Sequence, residues 1–154
     1  GVGSFDEGMK GLKERGFIEG INNHIKKELN FLGICLGAQL MCSKSEEGVS
    51  KGLNIFREYE VVKFKVDLPL PHMGWNWVKS KGKKFNLNCR RFYFVHTYHF
   101  QSDLKKSDLW YSNYKYDFPC LIGKNNTFAA QFHPEKSLDF GLSFLNSFMN
   151  GKIE

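Results

Sequence analysis

A cysteine enclosed by two glycines is the strongest sign of chemistry in this sequence of 154 residues. Cys35 lies between Gly33 and Gly37, where the apolar stretch 31–34 gives way to a helical pattern. The spacing Gly-x-Cys-x-Gly is the thiol form of the nucleophile elbow, a sharp strand-to-helix turn that presents a reactive side chain. Glycines are expected because the strained, close-packed backbone leaves no room for a β-carbon. We predict Cys35 to be a nucleophile at a helix N-terminus, which favours the thiolate; the alternative is a buried structural cysteine.

A second reactive pair follows the predicted strand 127–132. Pro134 cannot continue a β-ladder, so His133 and Glu135 are expected to leave the sheet edge together. Two residues apart in extended chain, they are predicted to project to the same side. The alternative for His133 is an ordinary histidine in a surface turn.

Together these residues predict acyl transfer by a Cys35/His133/Glu135 triad. An imidazole can take the proton from a thiol and later protonate a leaving amine. Glu135 could orient the other ring nitrogen of His133. Backbone N–H groups of Leu36 and of the glycine-rich loop 1–3 are candidate donors to the oxyanion. Spacing alone does not bring His133 next to Cys35.

The amino-acid composition limits the classes of protein to which this chain can belong. The sequence is 42% hydrophobic and 16% aromatic, which predicts one domain over residues 1–154 with its own core. It has no apolar run near the ~20 residues of a membrane span and no signal-peptide pattern, so a cytoplasmic protein without membrane contacts is predicted. The four cysteines show neither a C-x-x-C pair nor zinc-finger spacing, which favours reduced thiols and predicts no metal or cofactor.

The net charge of +6 is concentrated partly in the basic residues at positions 79–91. One interpretation of such a cluster is a patch for nucleic acid or a phosphorylated substrate. We interpret the segment as a solvated basic loop and predict no nucleic-acid partner.

Hydrophobic periodicity places these groups on predicted helices and strands. Helices are predicted over 6–16, 17–29 and 138–149, a further helix after Cys35, and strands over 59–66, 92–100, 108–116, 118–122 and 127–132. Asp6 is expected to cap the first helix. Leu142, Leu145 and Phe148 of the last helix are expected to face the sheet.

Several motifs resemble one enzyme family. They are Gly-Ile-Cys-Leu-Gly-Ala-Gln at 33–39, His-Met-Gly-Trp-Asn at 72–76, Tyr-Phe-Val-His-Thr-Tyr at 93–98 and Gln-Phe-His-Pro-Glu-Lys-Ser at 131–137. In this order and separation they resemble the class I, triad-type glutamine amidotransferases. More narrowly they resemble the HisH branch, the glutaminase subunits of imidazole glycerol phosphate synthase. The resemblance implies a flavodoxin-like α/β sandwich that hydrolyses glutamine to glutamate and ammonia in histidine biosynthesis.

The resemblance also assigns roles to residues. It makes Cys35 the nucleophile, His133 the base and Glu135 its orienter. It implies a glutamine-binding group, namely Gly1, Val2, Gly3, Gly37, Gln39, Thr97 and Tyr98. It implies that Pro71, Met73 and Trp75 meet a HisF-type (β/α)8 cyclase subunit in a heterodimer, into which ammonia passes without entering bulk water.

Relative to that family, the residues that normally precede Gly1 are absent: the first strand, the first helix, the second strand and a proline. We therefore expect an amidotransferase domain lacking its first strands, poorly stable or aggregation-prone when isolated.

Three other functions stay open at this point. A paralogous subunit that supplies ammonia for amidating surface-polysaccharide sugars is favoured slightly by residues 97–100 and 117–119. A cysteine peptidase or γ-glutamyl hydrolase would share the elbow and the histidine base. A docking module without turnover is the third.

Overall fold

The computed structural model describes residues 2–80, 90–103 and 105–153. The helices are α1 (Phe5–Glu14), α2 (Phe17–Lys26), α3 (Leu36–Gln39) and α4 (Leu138–Met149). The strands are β1 (Phe31–Ile34), β2 (Glu60–Lys63), β3 (His72–Ser80), β4 (Arg90–His96), β5 (Tyr98–Gln101), β6 (Asp108–Tyr114), β7 (Tyr116–Lys124) and β8 (Thr127–Ala130). No helix in these three segments is long and apolar enough to span a bilayer.

The strands form one large mixed sheet and one small sheet. The large sheet has the order β1-β8-β7-β6-β3-β4, and β2 pairs with β5 in the small one. Only the β1–β8 pair is parallel among the described strand pairs. This α/β arrangement is consistent with the predicted flavodoxin-like sandwich.

The parallel pair determines where the reactive segments lie. Phe31 pairs with Thr127 and Ile34 with Ala130, so both strands end at the same level. The carboxyl ends of parallel strands meet at one edge of a sheet. Cys35 directly follows one strand end, and the segment that begins at Gln131 follows the other.

Aromatic side chains form much of the core. The larger cluster packs α4 and the sheet together around Phe92, Phe94, Phe118, Phe132 and Phe144. A second cluster joins the segment after α3 to the small sheet and contains Met41, Phe56, Tyr59, Val61 and Phe100. Burying each such side chain contributes roughly 1.5–3 kcal/mol, which holds the sheet ends rigidly against the helices.

The segment 92–100 was predicted as one strand, and that is wrong. β4 ends at His96, and β5 begins at Tyr98 in the other sheet. The N–H of Phe64 donates to the Thr97 carbonyl at 3.1 Å, where the chain changes sheets. Phe94 and Phe100 keep the same alternation on both sides of the break but lie in different core clusters, so the pattern does not reveal the switch.

Helix α1 is capped by Ser4, not by Asp6 as predicted. The Glu7 N–H donates to Ser4 Oγ at 3.4 Å. The Asp6 carboxylate instead accepts from the N–H groups of Val49 and Ser50, at 3.1 and 2.9 Å. These bonds lower the pKa of Asp6, and they tie α1 to the loop after α3.

Helix α4 has the predicted bounds but a different buried face. Phe144 is buried, and Leu145 and Phe148 pack against the core as expected. Leu142 is 62% exposed, so its predicted contact with the sheet is wrong. Gly141 explains why α4 buries a different face from the one predicted, because a β-carbon at this position would lie 1.8 Å from the Pro134 carbonyl oxygen. The helix backbone approaches the preceding turn at this glycine.

Candidate active site

Cys35 occupies a strained turn between β1 and α3. Its φ is 50° and its ψ is −111°, a conformation that is costly for a residue with a β-carbon. The Cys35 N–H donates to the Ala130 carbonyl at 2.8 Å, which fastens the turn to β8. A β-carbon on Gly33 would lie 2.4 Å from Met41 Sδ and 2.8 Å from the Gly37 carbonyl oxygen. The close packing expected at the elbow is therefore present at Gly33.

Gly37 does not share that constraint. A β-carbon there would meet no atom of the described chain within 4 Å. Gly37 also lies away from the cavity beside Cys35 and lines a different apolar hollow with Leu12 and Leu53. Gly37 is therefore not among the residues that line the cavity beside Cys35, although its neighbours Leu36 and Gln39 are.

At the Cys35 thiol, burial outweighs the effect of the helix start, which was predicted to favour the thiolate. Burial raises the pKa of this thiol above the ordinary value, opposed in part by a hydrogen bond from the Leu36 N–H. Helix α3 spans only four residues, so its dipole is short. The Cys35 thiol lies 3.8 Å from the Val95 carbonyl oxygen, to which it can donate. A base is needed to make the thiolate.

His133 has the arrangement of a poised base. Its Nδ1 lies 2.6 Å from Glu135 Oε1, a contact in which the ring donates to the carboxylate. Its Nε2 is buried and finds no hydrogen-bond partner in the described chain. Leaving a buried nitrogen without a hydrogen-bond partner costs free energy. Because its lone pair is not used by the described chain, His133 Nε2 can accept a proton when substrate is bound.

The His133–Glu135 contact forms in a different way from the one predicted. Residues Pro134–Lys136 form a 3₁₀ turn, so Glu135 is not in extended chain. The His133 N–H donates to the Tyr93 carbonyl at 2.9 Å, and Ser137 Oγ donates to the His133 carbonyl at 2.6 Å. The turn curls Glu135 back onto the imidazole, and backbone bonds hold the histidine in place.

Strand β4 brings the two reactive residues into one neighbourhood. Cys35 Sγ contacts the Val95 carbonyl, and the His133 N–H contacts the Tyr93 carbonyl. Two residues along one strand span about 7 Å. Cys35 and His133 are therefore neighbours across β4 as well as at the ends of β1 and β8.

A cavity of about 250 Å³ opens beside Cys35. Its lining includes five residues predicted to bind substrate or form the loop beside it, namely Val2, Gly3, Gln39, Thr97 and Tyr98. Gly1 lies outside the described residues. Sequence reasoning missed His96 and Glu47, which also line the cavity. The Glu47 side chain accepts from the Phe5 N–H at 2.8 Å and is the only carboxylate in that lining.

An exposed apolar strip runs from the cavity along β3. Pro71 lines the cavity, and Met73, Trp75 and Trp77 follow at alternate positions with 61%, 39% and 50% of their surfaces exposed. The Trp75 ring meets Tyr93 edge-on, with centroids 6.2 Å apart. Contiguous exposed apolar surface of this kind marks interaction sites. The exposed strip therefore continues to Trp77, one alternate position beyond the three residues predicted to meet a partner.

Comparisons with known proteins agree with this architecture. A profile described as "Glutamine amidotransferase class-I" matches residues 1–150. "Imidazole glycerol phosphate synthase subunit HisH 2" of Methanococcus maripaludis is 44% identical over 97% of this chain and 77% of its own length. The HisH subunit of Neisseria meningitidis serogroup B is 40% identical over 97% of this chain and 76% of its own length.

Solved structures support the fold. A glutamine amidotransferase crystal structure superposes with a TM-score of 0.66 and 19% identity, over 92% of this chain and 70% of that one. A glutamine amidotransferase from Thermotoga maritima gives a TM-score of 0.61 and 18% identity, over 100% of this chain and 63% of that one. The predicted family and fold class are confirmed.

Proposed function

The chain belongs to the class I glutamine amidotransferase family, and from this premise we propose that it is the glutaminase subunit of an imidazole glycerol phosphate synthase. In this role it releases ammonia from L-glutamine for histidine biosynthesis. The observation that carries the proposal is the His133–Glu135 contact of 2.6 Å, which leaves a buried, unpartnered Nε2 on a segment next to Cys35. The HisH names of relatives about 40% identical to this chain support the same pathway.

The proposed chemistry begins with a proton transfer. His133 Nε2 takes the proton of the Cys35 thiol, and the thiolate attacks the side-chain carbonyl carbon of glutamine. The tetrahedral intermediate collapses to a γ-glutamyl thioester, and His133 gives its proton to the departing ammonia. Water, activated by the same nitrogen, then cleaves the thioester to glutamate. Glu135 holds the imidazole in the Nδ1–H tautomer and stabilises its cationic form throughout.

Two groups are proposed to stabilise the oxyanion. The Leu36 N–H already points at the Cys35 sulfur, and the loop at Val2 and Gly3 borders the cavity from the other side. Gly3 has a φ of 132°, a conformation that L side chains rarely adopt. This glycine lets the loop backbone approach the substrate.

Recognition of glutamine requires groups for both ends of a zwitterion. Glu47 is proposed to bind the α-ammonium group, because it supplies the negative charge in the cavity lining. Thr97, Tyr98 and Gln39 line the same space with hydroxyl and amide groups suited to the α-carboxylate and the substrate amide.

The partner is proposed to be a HisF-type (β/α)8 cyclase that covers the strip Pro71, Met73 and Trp75. Pro71 belongs to both the cavity lining and the strip, so a protein docked there would also cover the cavity mouth. Ammonia that reaches bulk water at neutral pH is protonated and loses its nucleophilicity. An apolar seal at this mouth would therefore keep the product reactive during transfer.

Glutamate release tests this proposal most simply. The protein is assayed with L-glutamine alone, then with a HisF-type cyclase, and then with the cyclase and its acceptor substrate. Stimulation by cyclase and acceptor is expected, together with formation of imidazole glycerol phosphate. Stimulation only by a sugar-modifying partner would instead assign the polysaccharide branch. No glutamate under any condition, with the Cys35 thiol intact, would contradict the glutaminase function.

A further inference from the structure

Gln131 has a fully buried side-chain amide that contacts Cys35. It lies two residues before His133, and none of its surface is exposed. Its Nε2 donates to Cys35 Sγ over 4.0 Å, and its Oε1 accepts from Gln39 Nε2 at 3.0 Å. A buried amide is costly unless its groups are paired, and here one of its partners is the candidate nucleophile.

The orientation of this amide is fixed by Gln39. Gln39 Nε2 also donates to the Tyr98 carbonyl oxygen at 3.1 Å. A carbonyl oxygen only accepts, so Gln39 must present its NH₂ group to both partners. The oxygen of Gln131 must then face Gln39, which turns the Gln131 NH₂ group toward the Cys35 sulfur.

The Tyr98 carbonyl is also the end of a buried chain of imidazoles. It accepts from His96 Nδ1 at 2.7 Å, so a neutral His96 has a bare Nε2. That Nε2 lies 2.9 Å from His72 Nδ1, which must be the donor. His72 Nε2 then accepts from Asn76 Nδ2 at 3.0 Å. Burial lowers the pKa of His96 to about 3 and that of His72 to about 4, so both rings are neutral at pH 7.

The far end of the chain lies on β3, beside the apolar strip. Asn76 Nδ2 also donates to the Asn113 carbonyl at 2.7 Å, and Asn76 Oδ1 accepts from the Trp77 N–H at 2.8 Å. The Asn76 amide therefore cannot rotate without losing these bonds. Each hydrogen bond from β3 to the Cys35 sulfur has a single allowed direction.

We propose that Gln131 is a positioning residue that stabilises the Cys35 thiolate, that Gln39 sets the direction of its N–H, and that the chain Asn76–His72–His96 holds in place the Tyr98 carbonyl to which Gln39 donates. This deepens the proposed function, since it rests on Cys35 being the nucleophile, but it requires neither turnover nor a partner. The role is specific to the ionised sulfur. The neutral thiol can donate to the Val95 carbonyl, a contact that becomes repulsive when the proton leaves. The bond from Gln131 becomes charge-assisted at the same moment and strengthens.

Alkylation of Cys35 by iodoacetamide across a pH series measures the thiolate directly. Rates are followed by mass spectrometry of the Cys35 peptide in the full chain, for the parent protein, Gln131→Met and Gln131→Glu. Gln131→Met keeps the side-chain length and removes the donor, while Gln131→Glu keeps the acceptor for Gln39. We expect both to move the midpoint upward by about one pH unit, or a tenfold lower rate at pH values below the midpoint.

Gln101→Met, at an exposed position at the end of β5, is the matched control. We expect it to leave the pH midpoint of Cys35 alkylation unchanged. Melting temperatures of the same variants distinguish loss of the hydrogen bond to Cys35 from a general loss of packing. A lowered melting temperature with an unmoved midpoint, in whichever Gln131 variant folds, would overturn the proposal. Because the readout is alkylation, an absence of glutaminase activity would refute the proposed function without altering this result.

Asn76→Asp tests the chain at its far end. The carboxylate cannot donate to His72 Nε2, so His72 must place its proton on Nε2, and His96 must then do the same. His96 Nδ1 would then face the Tyr98 carbonyl oxygen with a lone pair, and this repulsion displaces the acceptor to which Gln39 donates. We expect ¹⁵N spectra to show Nδ1–H tautomers of His72 and His96 in the parent and Nε2–H tautomers in the variant. The alkylation midpoint should rise by less than in Gln131→Met. Reversed tautomers with an unmoved midpoint would overturn the role of the chain.

Discussion

The end of the β1–β8 pair and the β3–β4 hairpin place polar and apolar groups in opposite ways. At the first, the reactive Cys35 and His133 are buried and held by backbone hydrogen bonds. At the second, large apolar side chains such as Met73 and Trp77 face solvent, while the imidazoles of His72 and His96 lie inside. A buried pair held by hydrogen bonds suits the proposed covalent chemistry, which needs fixed geometry, whereas an exposed apolar strip suits the proposed partner. The proposed function therefore assigns catalysis and docking to separate regions of one sheet.

Removing the proposed nucleophile tests this division between catalysis and docking most sharply. Cys35→Ala is expected to lower glutamate release at least a thousandfold, because no thioester can form. Binding of the cyclase should persist, since the strip on β3 is untouched. Steady-state glutamate assays and a binding titration measure the two effects. Equal loss of both would mean that Cys35 is a structural residue.

Glu135→Gln should weaken the chemistry less. The amide no longer stabilises the imidazolium, so kcat is expected to fall about a hundredfold. The Glu135 side chain is half exposed, and water can replace part of its role. Glutamate assays at saturating glutamine measure the loss. Unchanged kcat would show that the contact with His133 Nδ1 is not used in catalysis.

Trp75→Ala tests the docking region. Truncating a central aromatic anchor commonly costs about 2 kcal/mol of binding free energy, or roughly thirtyfold in Kd. Phe140→Ala on α4 is the matched control, because the two side chains are 39% and 41% exposed. Calorimetric titration with the cyclase gives both values. An equal loss of binding free energy in the two variants would contradict a docking site on β3.

The buried imidazoles should make stability depend on pH. Burial lowers the pKa of His72 from 6.5 to about 4 and that of His96 to about 3. Between these values and 6.5 the unfolded chain binds more protons than the folded one, so the free energy of unfolding falls as pH falls. Each group contributes about 1.4 kcal/mol per pH unit below 6.5.

Urea unfolding at pH 7, 6 and 5 measures this slope, and His72→Gln should flatten it. A slope unaffected by that substitution would contradict the neutral buried state of His72 and weaken the contrast between the two regions.

Local motifs carried most of the information that was predictable. The elbow at Cys35 depends on neighbours in sequence, so spacing indicated it. Spacing also indicated that His133 and Glu135 lie together, but not the 3₁₀ turn that brings them into contact. The bounds of α4 followed from its helical pattern, which also depends on neighbours in sequence. Its buried face did not, because Gly141 approaches the Pro134 carbonyl through the tertiary fold.

Other features depend on contacts that a sequence pattern does not encode. The change of sheet at Thr97 occurs inside an unbroken alternation of apolar residues. The Cys35 pKa is raised by burial, a property of the packed elbow rather than of the helix start. The alignment of Gln131, His96 and His72 joins residues far apart in the chain, and periodicity cannot show hydrogen-bond direction.

The proposal that Cys35 is the glutaminase nucleophile is tested most directly by covalent labelling. A diazoketone analogue of glutamine is incubated with the protein, and modified peptides are identified by mass spectrometry. A single adduct on Cys35 is predicted, with Cys42 and Cys120 unmodified and with glutamine slowing the reaction. An adduct on another residue, or glutamate release that continues without any adduct on Cys35, would contradict the account.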